Sequence, residues 1–362
     1  MFLQTLSLLN FRSYPSLSVS FPPGGALFEG LNGTGKTNVL EAIHVLCTGR
    51  SQRGAARGDM IMHGQDSAFI EGEFCGSAAA IGFSRDKKVV MKRDGVDIRS
   101  YSEWFGERPV VSFGTNDLDL VYGPPETRRR FLDMLICQID RAYLAALAAY
   151  RKSMACRNAL LGKSSDSALF DIYEQAMAEN ASILVFKRSE AIEELQKYLS
   201  GYYAEISGEG ENAMLEYAPK IKQKISNLNT IYEWQNVYLN TLSESRSRDA
   251  ELMFTSRGPH RDDLRFLMNG RLAKSYASQG QCRSFALSLK LGSVLLMERR
   301  REGGMIFLVD DAVSELDPER TSRVYPLLEG RGQIFIATPR CHVKLGDGVM
   351  KCVVEPGKVT SL

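Results

Sequence analysis

The stretch Gly30-Leu-Asn-Gly-Thr-Gly-Lys-Thr37 decides the fold of this 362-residue chain. It fits the pattern GxxxxGK[ST], with an apolar run before it, Gly25–Glu29, and a run of helical character after it, Asn38–Leu46. Glycines allow successive backbone N–H groups to form a concave nest at a helix N-terminus, where the helix dipole attracts phosphate. The pattern therefore predicts a phosphate-binding loop between a strand and a helix.

A second segment supplies the carboxylate that such a loop needs for Mg²⁺. Met305–Val309 is a continuous apolar run that ends in Asp310-Asp311, which is typical of a buried parallel strand. Ligands of open α/β sheets lie beyond the carboxyl ends of the strands. We therefore predict that ATP and Mg²⁺ bind here, with these loop residues in contact with the nucleotide: Gly30, Leu31, Asn32, Gly33, Thr34, Gly35, Lys36 and Thr37.

Four of these side chains have predicted roles in the chemistry. Lys36 is expected to reach the β- and γ-phosphates, and the Thr37 hydroxyl is expected to bind Mg²⁺ together with Asp310. Asp311 is the candidate to orient the attacking water. The alternative for the aspartate pair is a charged turn that follows a core strand and has no ligand.

Composition excludes several classes of protein. Forty-five Lys and Arg against forty-three Asp and Glu give a net charge of +2, so a nucleic-acid footprint has to be a local patch. No apolar run reaches the eighteen residues of a membrane span, and the N-terminus lacks the pattern of a secretion signal. Seven scattered cysteines without a CxxC pair suit a reducing compartment. We expect a cytoplasmic protein that does not enter a membrane.

The distribution of proline indicates how the chain is organised. No proline lies between Pro125 and Pro219, and this window has helical periodicity with a break near Gly162. Short strand-like runs alternate with helical runs on both sides of it. We predict an α/β head with an inserted all-helical arm, with limits at 1–125 for the N-terminal part of the head, 126–207 for the arm and 208–362 for the C-terminal part of the head.

Two further segments narrow the class of ATPase. Ala277-Ser-Gln-Gly-Gln281 resembles the LSGGQ signature of ABC-type ATPases, with Ser278 and Gly280 in register. Alone it could equally be a serine-capped helix. The segment Ser314–Asp317, directly after the aspartate pair, resembles a D-loop. The order of these motifs predicts an ABC-type P-loop ATPase head, with a mixed sheet and flanking helices, in which Ser278, Gly280 and Gln281 also contact nucleotide.

With these motifs in place, the chain resembles the RecF family over essentially its whole length. The segments that carry the resemblance are Phe11-Arg12, Asp117–Pro125, Arg128–Asp133, Arg257–Leu264 and Ser314–Asp317. The resemblance adds Arg12 to the nucleotide contacts. The departures are Thr115-Asn116, Ala277, Asp311 and Thr338, which stand where this family or ABC ATPases carry Pro-Glu, Leu, Glu and a switch His. The shorter carboxylate at 311 reaches less far toward water, so it bears on the rate of hydrolysis, which we expect to be slow, more than on the binding of ATP.

The resemblance implies a function in recombinational repair and replication restart at single-strand gaps. It implies binding to single-stranded DNA and to single/double-strand junctions, with RecR and RecO as partners and support of the SOS response. It also implies a homodimer that forms with ATP, because the signature and the P-loop of such heads meet only when two copies pair head to tail. The activity expected is a weak, DNA-stimulated ATPase that acts as a switch.

Three basic clusters could contact DNA phosphates, although a solvated face is the more frequent use of each. They are Arg128–Arg130, Lys220–Lys224, and the group Lys87, Lys88, Lys92 and Arg93. In the segment Arg257–Leu264, we expect Pro259 to fix a turn and three charged residues to form a surface network: Arg261, Asp262 and Asp263. A catalytic role of His260 is disfavoured, and an interdomain or DNA-facing role stays open.

Two other functions stay open at this point. One is an ATPase subunit of an ABC-type transporter, and the other is a scaffold that binds ATP without hydrolysing it. The neutral composition of 126–207, with eleven basic and eleven acidic residues, and the absence of a switch histidine at Thr338 disfavour the transporter.

Overall fold

The computed structural model describes the chain except residues 164–166, 208–209, 222–229, 302, 311–325, 340–345 and 347. The described residues form two compact units. The first unit contains Met1–Asp117, Glu205–Ser207 and Arg301–Leu362, so it is assembled from both ends of the chain. The second contains Leu118–Ala204 and Gly208–Arg300. The domain limits at 125 and 207 stay a prediction.

Runs of strands and runs of helices follow one another along the described residues. The helices are α1 (Lys36–Thr48), α2 (Arg57–Met60), α3 (Tyr101–Trp104), α4 (Asp119–Tyr122), α5 (Pro125–Ile139), α6 (Arg141–Leu160), α7 (Ser167–Ser207), α8 (Ile231–Leu252), α9 (Ala273–Tyr276) and α10 (Gln279–Arg300). The strands are β1 (Leu3–Phe11), β2 (Tyr14–Ser20), β3 (Gly25–Glu29), β4 (Ser67–Phe74), β5 (Ser77–Ser84), β6 (Val89–Arg93), β7 (Val96–Asp97), β8 (Val110–Gly114), β9 (Ala213–Ala218), β10 (Asp263–Met268), β11 (Arg271–Leu272), β12 (Met305–Asp310), β13 (Gly332–Thr338), β14 (Met350–Glu355) and β15 (Lys358–Ser361).

Two sheets make up the first unit. One has the order β15-β14-β3-β13-β12-β8, and its pairs are parallel except for β14 with β15. The other, β2-β1-β4-β5-β6-β7, is antiparallel throughout. The predicted α/β head with a mixed sheet and flanking helices is confirmed. The loop 30–37 follows β3, and Asp310 ends β12, so the two lie at the same edge of the sheet with β13 between their strands.

Helix α1 lies in the core of the first unit. It packs against strands of both sheets, including β4 and β13. Because it is enclosed from both sides, it is apolar around most of its circumference, from Val39 to Cys47. Glu41 and His44 break this pattern, and both are also buried. A helix packed in this way fixes the loop that precedes it.

The second unit is mainly helical. Helices α5 and α6 are joined at Asp140, which ends α5 and whose side chain accepts a hydrogen bond from the Tyr143 N–H at the start of α6. The predicted helical arm is confirmed, and the break near Gly162 separates α6 from α7. An antiparallel sheet, β11-β10-β9, and the long helix α10 belong to the same unit. Among the described residues, no helix combines the length and the hydrophobicity that crossing a bilayer requires.

Candidate nucleotide-binding site

The loop 30–37 has the backbone conformation of a phosphate cradle. Gly33 and Gly35 adopt positive φ angles of 82° and 109°, a region that residues with a side chain rarely enter. A Cβ atom on Gly35 would lie 2.8 Å from both the Ser13 Oγ and the Tyr14 Oη, so only glycine fits there. Around Gly33 there is open space on the side where a Cβ would project. The loop is therefore held tightly against β2 and open at its crest.

Lys36 lies inside this loop. Its side chain is buried, and its Nζ donates to the carbonyl oxygens of Gly30 and Leu31 at 2.8 Å each. Both partners are neutral carbonyls, so the positive charge of the ammonium is not cancelled by them. A phosphate bound in the cradle would meet this charge and the first N–H groups of α1 together.

Thr37 and Asp310 come together although they are 273 residues apart in the chain. The Thr37 Oγ1 donates to the Asp310 Oδ1 over 2.8 Å. A hydroxyl and a carboxylate are the hard oxygen ligands that Mg²⁺ takes from proteins, usually one or two of them besides water and substrate phosphates. These two residues therefore fit a Mg²⁺ ion bound together with a phosphate. Among the described residues, no group of three or more His, Cys, Asp and Glu forms a separate metal site.

Arg12 lies at the tip of the hairpin that joins β1 and β2. Its φ angle of 53° belongs to a tight two-residue turn, which Phe11 and Tyr14 flank as a strand pair. Asn38, in the first turn of α1, donates to the Ser13 Oγ at 2.9 Å. This contact places the hairpin tip beside the loop 30–37. Burial raises the pKa of Tyr14, whose hydroxyl donates to the Gly35 carbonyl at 3.2 Å.

The predicted signature lies in the second unit, at the start of α10. The Ser278 Oγ accepts from the Gln281 N–H at 3.2 Å, and the Gln281 side chain accepts from the Ser278 N–H at 2.6 Å, which makes a capping box. Ser278 is exposed, whereas the Gln281 amide nitrogen also donates to the Glu211 carboxylate. The serine is thus displayed at the N-terminus of a long helix. Gly280 lies in the first turn of the same helix.

The structure locates only some of the other residues that the sequence analysis singled out near this site. Asp311 and the predicted D-loop, 314–317, lie outside the described residues. Thr338 ends β13 and is paired with Glu29 at the end of β3, so it borders the same sheet edge as the loop.

Comparisons with known proteins agree with this geometry. A family model described as an AAA domain matches residues 5–233. The protein of Ligilactobacillus salivarius named DNA replication and repair protein RecF is 33% identical and covers 99% of this chain and 97% of its own length. Its namesake from Symbiobacterium thermophilum is 36% identical over 93% of this chain and 91% of its own length. The chain belongs to the RecF family.

Solved structures extend the comparison. A structure described as the recombination mediator protein RecF with ATP in the RecFOR pathway matches with a TM-score of 0.91 and 30% identity, covering 100% of this chain and 97% of that one. An Smc head domain from Pyrococcus furiosus matches with a TM-score of 0.55 and 16% identity, covering 100% of this chain and 96% of that one, which indicates a shared fold alone. Membership of the RecF family argues against a transporter subunit.

Two segments that carry the RecF resemblance, Arg128–Asp133 and Arg257–Leu264, contribute to the interior of the second unit. Arg128 is only 5% exposed, and its guanidinium donates to both oxygens of Asp263, at 2.7 and 3.0 Å. Arg129 donates to the Asp262 carbonyl at 2.7 Å. Both readings of the cluster Arg128–Arg130, a DNA contact and a solvated face, are therefore wrong for Arg128, because it is buried and Asp263, 135 residues later in the chain, neutralises it. Arg130 is exposed.

His260 also belongs to this interior. Its Nε2 faces the Thr255 carbonyl at 2.9 Å, so this nitrogen donates, and its Nδ1 then accepts from the Tyr150 hydroxyl at 2.7 Å. Burial lowers the pKa of His260 to about 4, which keeps the ring neutral. A polar network is present at this segment, but the expected surface position is wrong for Asp262, which is fully buried. A Cβ atom on Gly258 would lie 2.3 Å from the Tyr150 Oη, which accounts for the glycine in the motif.

A basic segment escaped the sequence analysis. Residues 50–58 read RSQRGAARG, with three arginines and no acidic residue. Arg53 and Arg57 are exposed, and Arg50 is exposed and lies over the Tyr101 ring. Two of the lysines predicted instead, in the β5–β6 hairpin, have acidic partners: Lys88 lies 2.8 Å from Asp86, and Lys92 lies 3.8 Å from Asp97. A search for short windows that contain basic residues and no acidic residue would have found the segment.

Proposed function

We propose that this RecF-family chain binds ATP and Mg²⁺ on the loop 30–37. The observation that carries the proposal is the contact between Thr37 and Asp310, which brings a hydroxyl and a carboxylate together at the mouth of a phosphate cradle. When bound, the nucleotide supplies a phosphate bond that can be hydrolysed. Lys36 donates to its phosphates, Thr37 and Asp310 hold the metal, and Asp311 orients water.

The second part of the proposal concerns two copies of the chain. Ser278, exposed at the N-terminus of α10, is suited to contact a phosphate through its hydroxyl and the helix N–H groups. We place this contact on the nucleotide held by a second copy, head to tail, with Gly280 beside it. Lys36 of one protomer and Ser278 of the partner subunit then grip one terminal phosphate. Loss of that phosphate releases the grip, so hydrolysis acts as a switch.

The third part concerns DNA. The relatives' name, DNA replication and repair protein, and the RecFOR pathway of the matching structure support a place in recombinational repair and replication restart. We propose that the dimer binds single-stranded DNA and single/double-strand junctions in the cytoplasm. RecR and RecO are the proposed partners, and the SOS response is a proposed consequence.

We assign the DNA contact first to Arg53 and Arg57. Both are exposed and lie in a window without acidic residues, so a phosphate need not displace an internal partner of that window. The lysines of the β5–β6 hairpin come second, because Lys88 and Lys92 already have Asp86 and Asp97 within 4 Å. Lys220 is exposed, and the rest of its predicted cluster lies in the undescribed segment 222–229.

The test is the mass of the protein in solution, measured by light scattering with and without a slowly hydrolysed ATP analogue. We expect a dimer with the analogue and a monomer without it. Ser278→Arg should bind the analogue and stay monomeric, because the new side chain occupies the place of the phosphate. Ser275→Arg puts the same charge on the exposed face of α9 and is the matched control, which should dimerise.

Three outcomes would contradict the proposal in different places. A wild-type monomer with bound analogue removes the shared grip. A Ser278→Arg variant that dimerises removes the signature from it. A dimer that binds DNA but hydrolyses no ATP, with Lys36→Arg retaining every activity, would favour the non-hydrolysing scaffold.

A further inference from the structure

A carboxylate lies at the centre of the P-loop helix. Glu41 is on α1 between the core residues Leu40 and Ala42, and its side chain is fully buried. A buried charge is costly unless it is paired and hydrogen-bonded. Both of its oxygens are bonded: Oε2 accepts from the Arg12 Nε at 2.8 Å, and Oε1 accepts from the Arg12 Nη2 at 2.9 Å and from the Ser51 Oγ at 2.5 Å.

The partner of this carboxylate is held on a second side. The Arg12 Nη1 donates to the Asp59 carbonyl at 2.7 Å, so all three nitrogens of the guanidinium are engaged. A guanidinium carries five N–H donors, of which these bonds use three. The Arg12 side chain is 21% exposed. It lines a pocket of about 570 Å³ beside the first turn of α1, together with Ser13 and Asn38. Arg12 is thus fixed in plane while two of its donors remain available.

We propose that Glu41 is a positioning residue of the nucleotide site, which acts by holding Arg12 in the orientation that meets the nucleotide. The inference rests on the proposed function, in which Arg12 contacts ATP on the loop 30–37. Ser51 braces the carboxylate, so the pair and its brace form a rigid support. A two-bond guanidinium–carboxylate pair fixes both position and plane, which a single bond cannot do.

Glutamine at position 41 separates this role from simple packing. It has nearly the size of glutamate, but its NH₂ group would face an N–H of Arg12 and only one of the two parallel bonds could form. Glutamine at position 12 removes the guanidinium and leaves Glu41 without its cation. The double variant carries two neutral groups that can bond to each other, so it avoids an unpaired buried charge.

The experiment measures the affinity of a fluorescent ATP analogue for wild type, Arg12→Gln, Glu41→Gln and the double variant, with the unfolding temperature of each without nucleotide. We expect each single variant to bind about tenfold more weakly, as loss of bonds to a charged group implies. We expect the double variant to bind as Arg12→Gln does, because Glu41 acts only through Arg12. Equal losses from Glu41→Gln in both backgrounds would overturn the inference, as would no loss from Glu41→Gln alone.

Two further variants keep the test decisive. Ser51→Ala removes only the brace and is the variant to use if Glu41→Gln does not fold; it should weaken binding two- to fivefold, and only when Arg12 is present. Lys36→Ala separates the proposed binding of ATP on the loop 30–37 from the proposed role of Glu41. If wild type binds the analogue no better than Lys36→Ala, the proposed function fails and the inference falls with it. If wild type binds and Arg12→Gln binds equally well, ATP binding stands and the role of Glu41 is overturned.

Discussion

In the first unit, Lys36 is held by two neutral backbone carbonyls, whereas in the second unit Arg157 is enclosed by the carboxylates of Glu174 and Asp249 at 3.0 and 2.8 Å. Lys36 keeps a charge that a ligand can use. Arg157 is completely buried, and its charge is spent on holding α6, α7 and α8 together. The comparison teaches that the partner of a cation, more than its burial, indicates whether it serves binding or structure.

The second unit repeats this arrangement around Arg188 on α7. Its guanidinium donates to the Asp133 carboxylate at 2.8 Å, to the Tyr143 hydroxyl at 2.9 Å and to the Pro259 carbonyl at 2.8 Å. Asp262 lies 3.9 Å from it, and burial raises the pKa of that carboxyl although Arg188 acts against the shift. Residues 128–133 and 257–264 thus meet in one buried network.

The largest effect should come from breaking the network of Arg157. Arg157→Ala leaves Asp249 and Glu174 buried without this cation, and we expect the free energy of unfolding to fall by about 3–5 kcal/mol. Urea denaturation of wild type and variant measures it. The matched control is Arg151→Ala on the same helix, whose side chain is 52% exposed and which pairs with Asp133 at 3.3 Å. It should lose no more than about 1 kcal/mol. Equal losses would contradict the comparison.

The next effect is the dependence of stability on pH through His260. Its pKa is about 4 in the folded chain, against an ordinary value near 6.5 for histidine. The unfolded state therefore binds a proton that the folded state resists. The stabilisation is complete above pH 6.5 and is lost as the pH falls towards 4, by at most about 3 kcal/mol.

Urea denaturation of wild type and His260→Gln between pH 7 and pH 4, with further values below pH 4, tests this dependence. The difference between the two curves should change across that window and become flat below it. His63, which is exposed in the first unit, supplies the control His63→Gln. A difference curve that is flat for His260→Gln, or equally steep for His63→Gln, would contradict the assignment.

Replacement of Lys36, the cation of the first unit, should weaken the binding of ATP with little change in stability. Lys36→Ala removes a charge whose partners are carbonyls, so we expect ATP affinity to fall about 10- to 150-fold, the value of one bond to a charged group. The free energy of unfolding without nucleotide should change by less than about 1 kcal/mol, because the loss of two bonds to carbonyls is offset by removal of the desolvation cost of a buried ammonium group. Isothermal titration and urea denaturation of the same preparations measure both quantities. A large loss of stability would show that Lys36, like Arg157, serves the structure, and would contradict the comparison.

The smallest effect concerns Arg53 and Arg57. Their replacement by alanine should make the affinity for duplex-containing DNA less dependent on salt. The absolute slope of log affinity against log salt should fall by about 0.9 for each phosphate that the variant no longer neutralises. Stability should not change, because both side chains are exposed. Lys88→Ala is the comparison from the hairpin cluster. If the slope responds to Lys88 and not to the arginines, the DNA-binding surface belongs to the hairpin.

Local patterns predicted much of the first unit. The expected strands Gly25–Glu29 and Met305–Val309 agree with β3 and β12, because continuous apolar runs bounded by turns are typical of buried parallel strands. The run Leu252-Met-Phe254 resembles a strand in sequence, but it does not form one. Leu252 ends α8, and Met253 adopts a left-handed conformation that caps it, so an apolar run there belongs to a helix end.

The partners of charged residues could not be predicted in the same way. Arg157 meets Asp249 across 92 residues, and Arg128 meets Asp263 across 135 residues. Periodicity reports which face of an element is buried, but not which distant carboxylate lies opposite. A run such as Arg128–Arg130 therefore resembles a phosphate site in sequence until its counter-charges are located.

The sheet order around β3 has a consequence for folding during translation. β3 pairs with β13 and β14, which are made more than 300 residues later. At about 5–20 residues per second, translation leaves the Gly-rich loop without its neighbouring strands for roughly 15–60 s. A nascent or truncated chain that stops before β12 lacks both Asp310 and the strands that flank the loop. Only a polypeptide translated as far as β14 can complete the sheet that holds the loop.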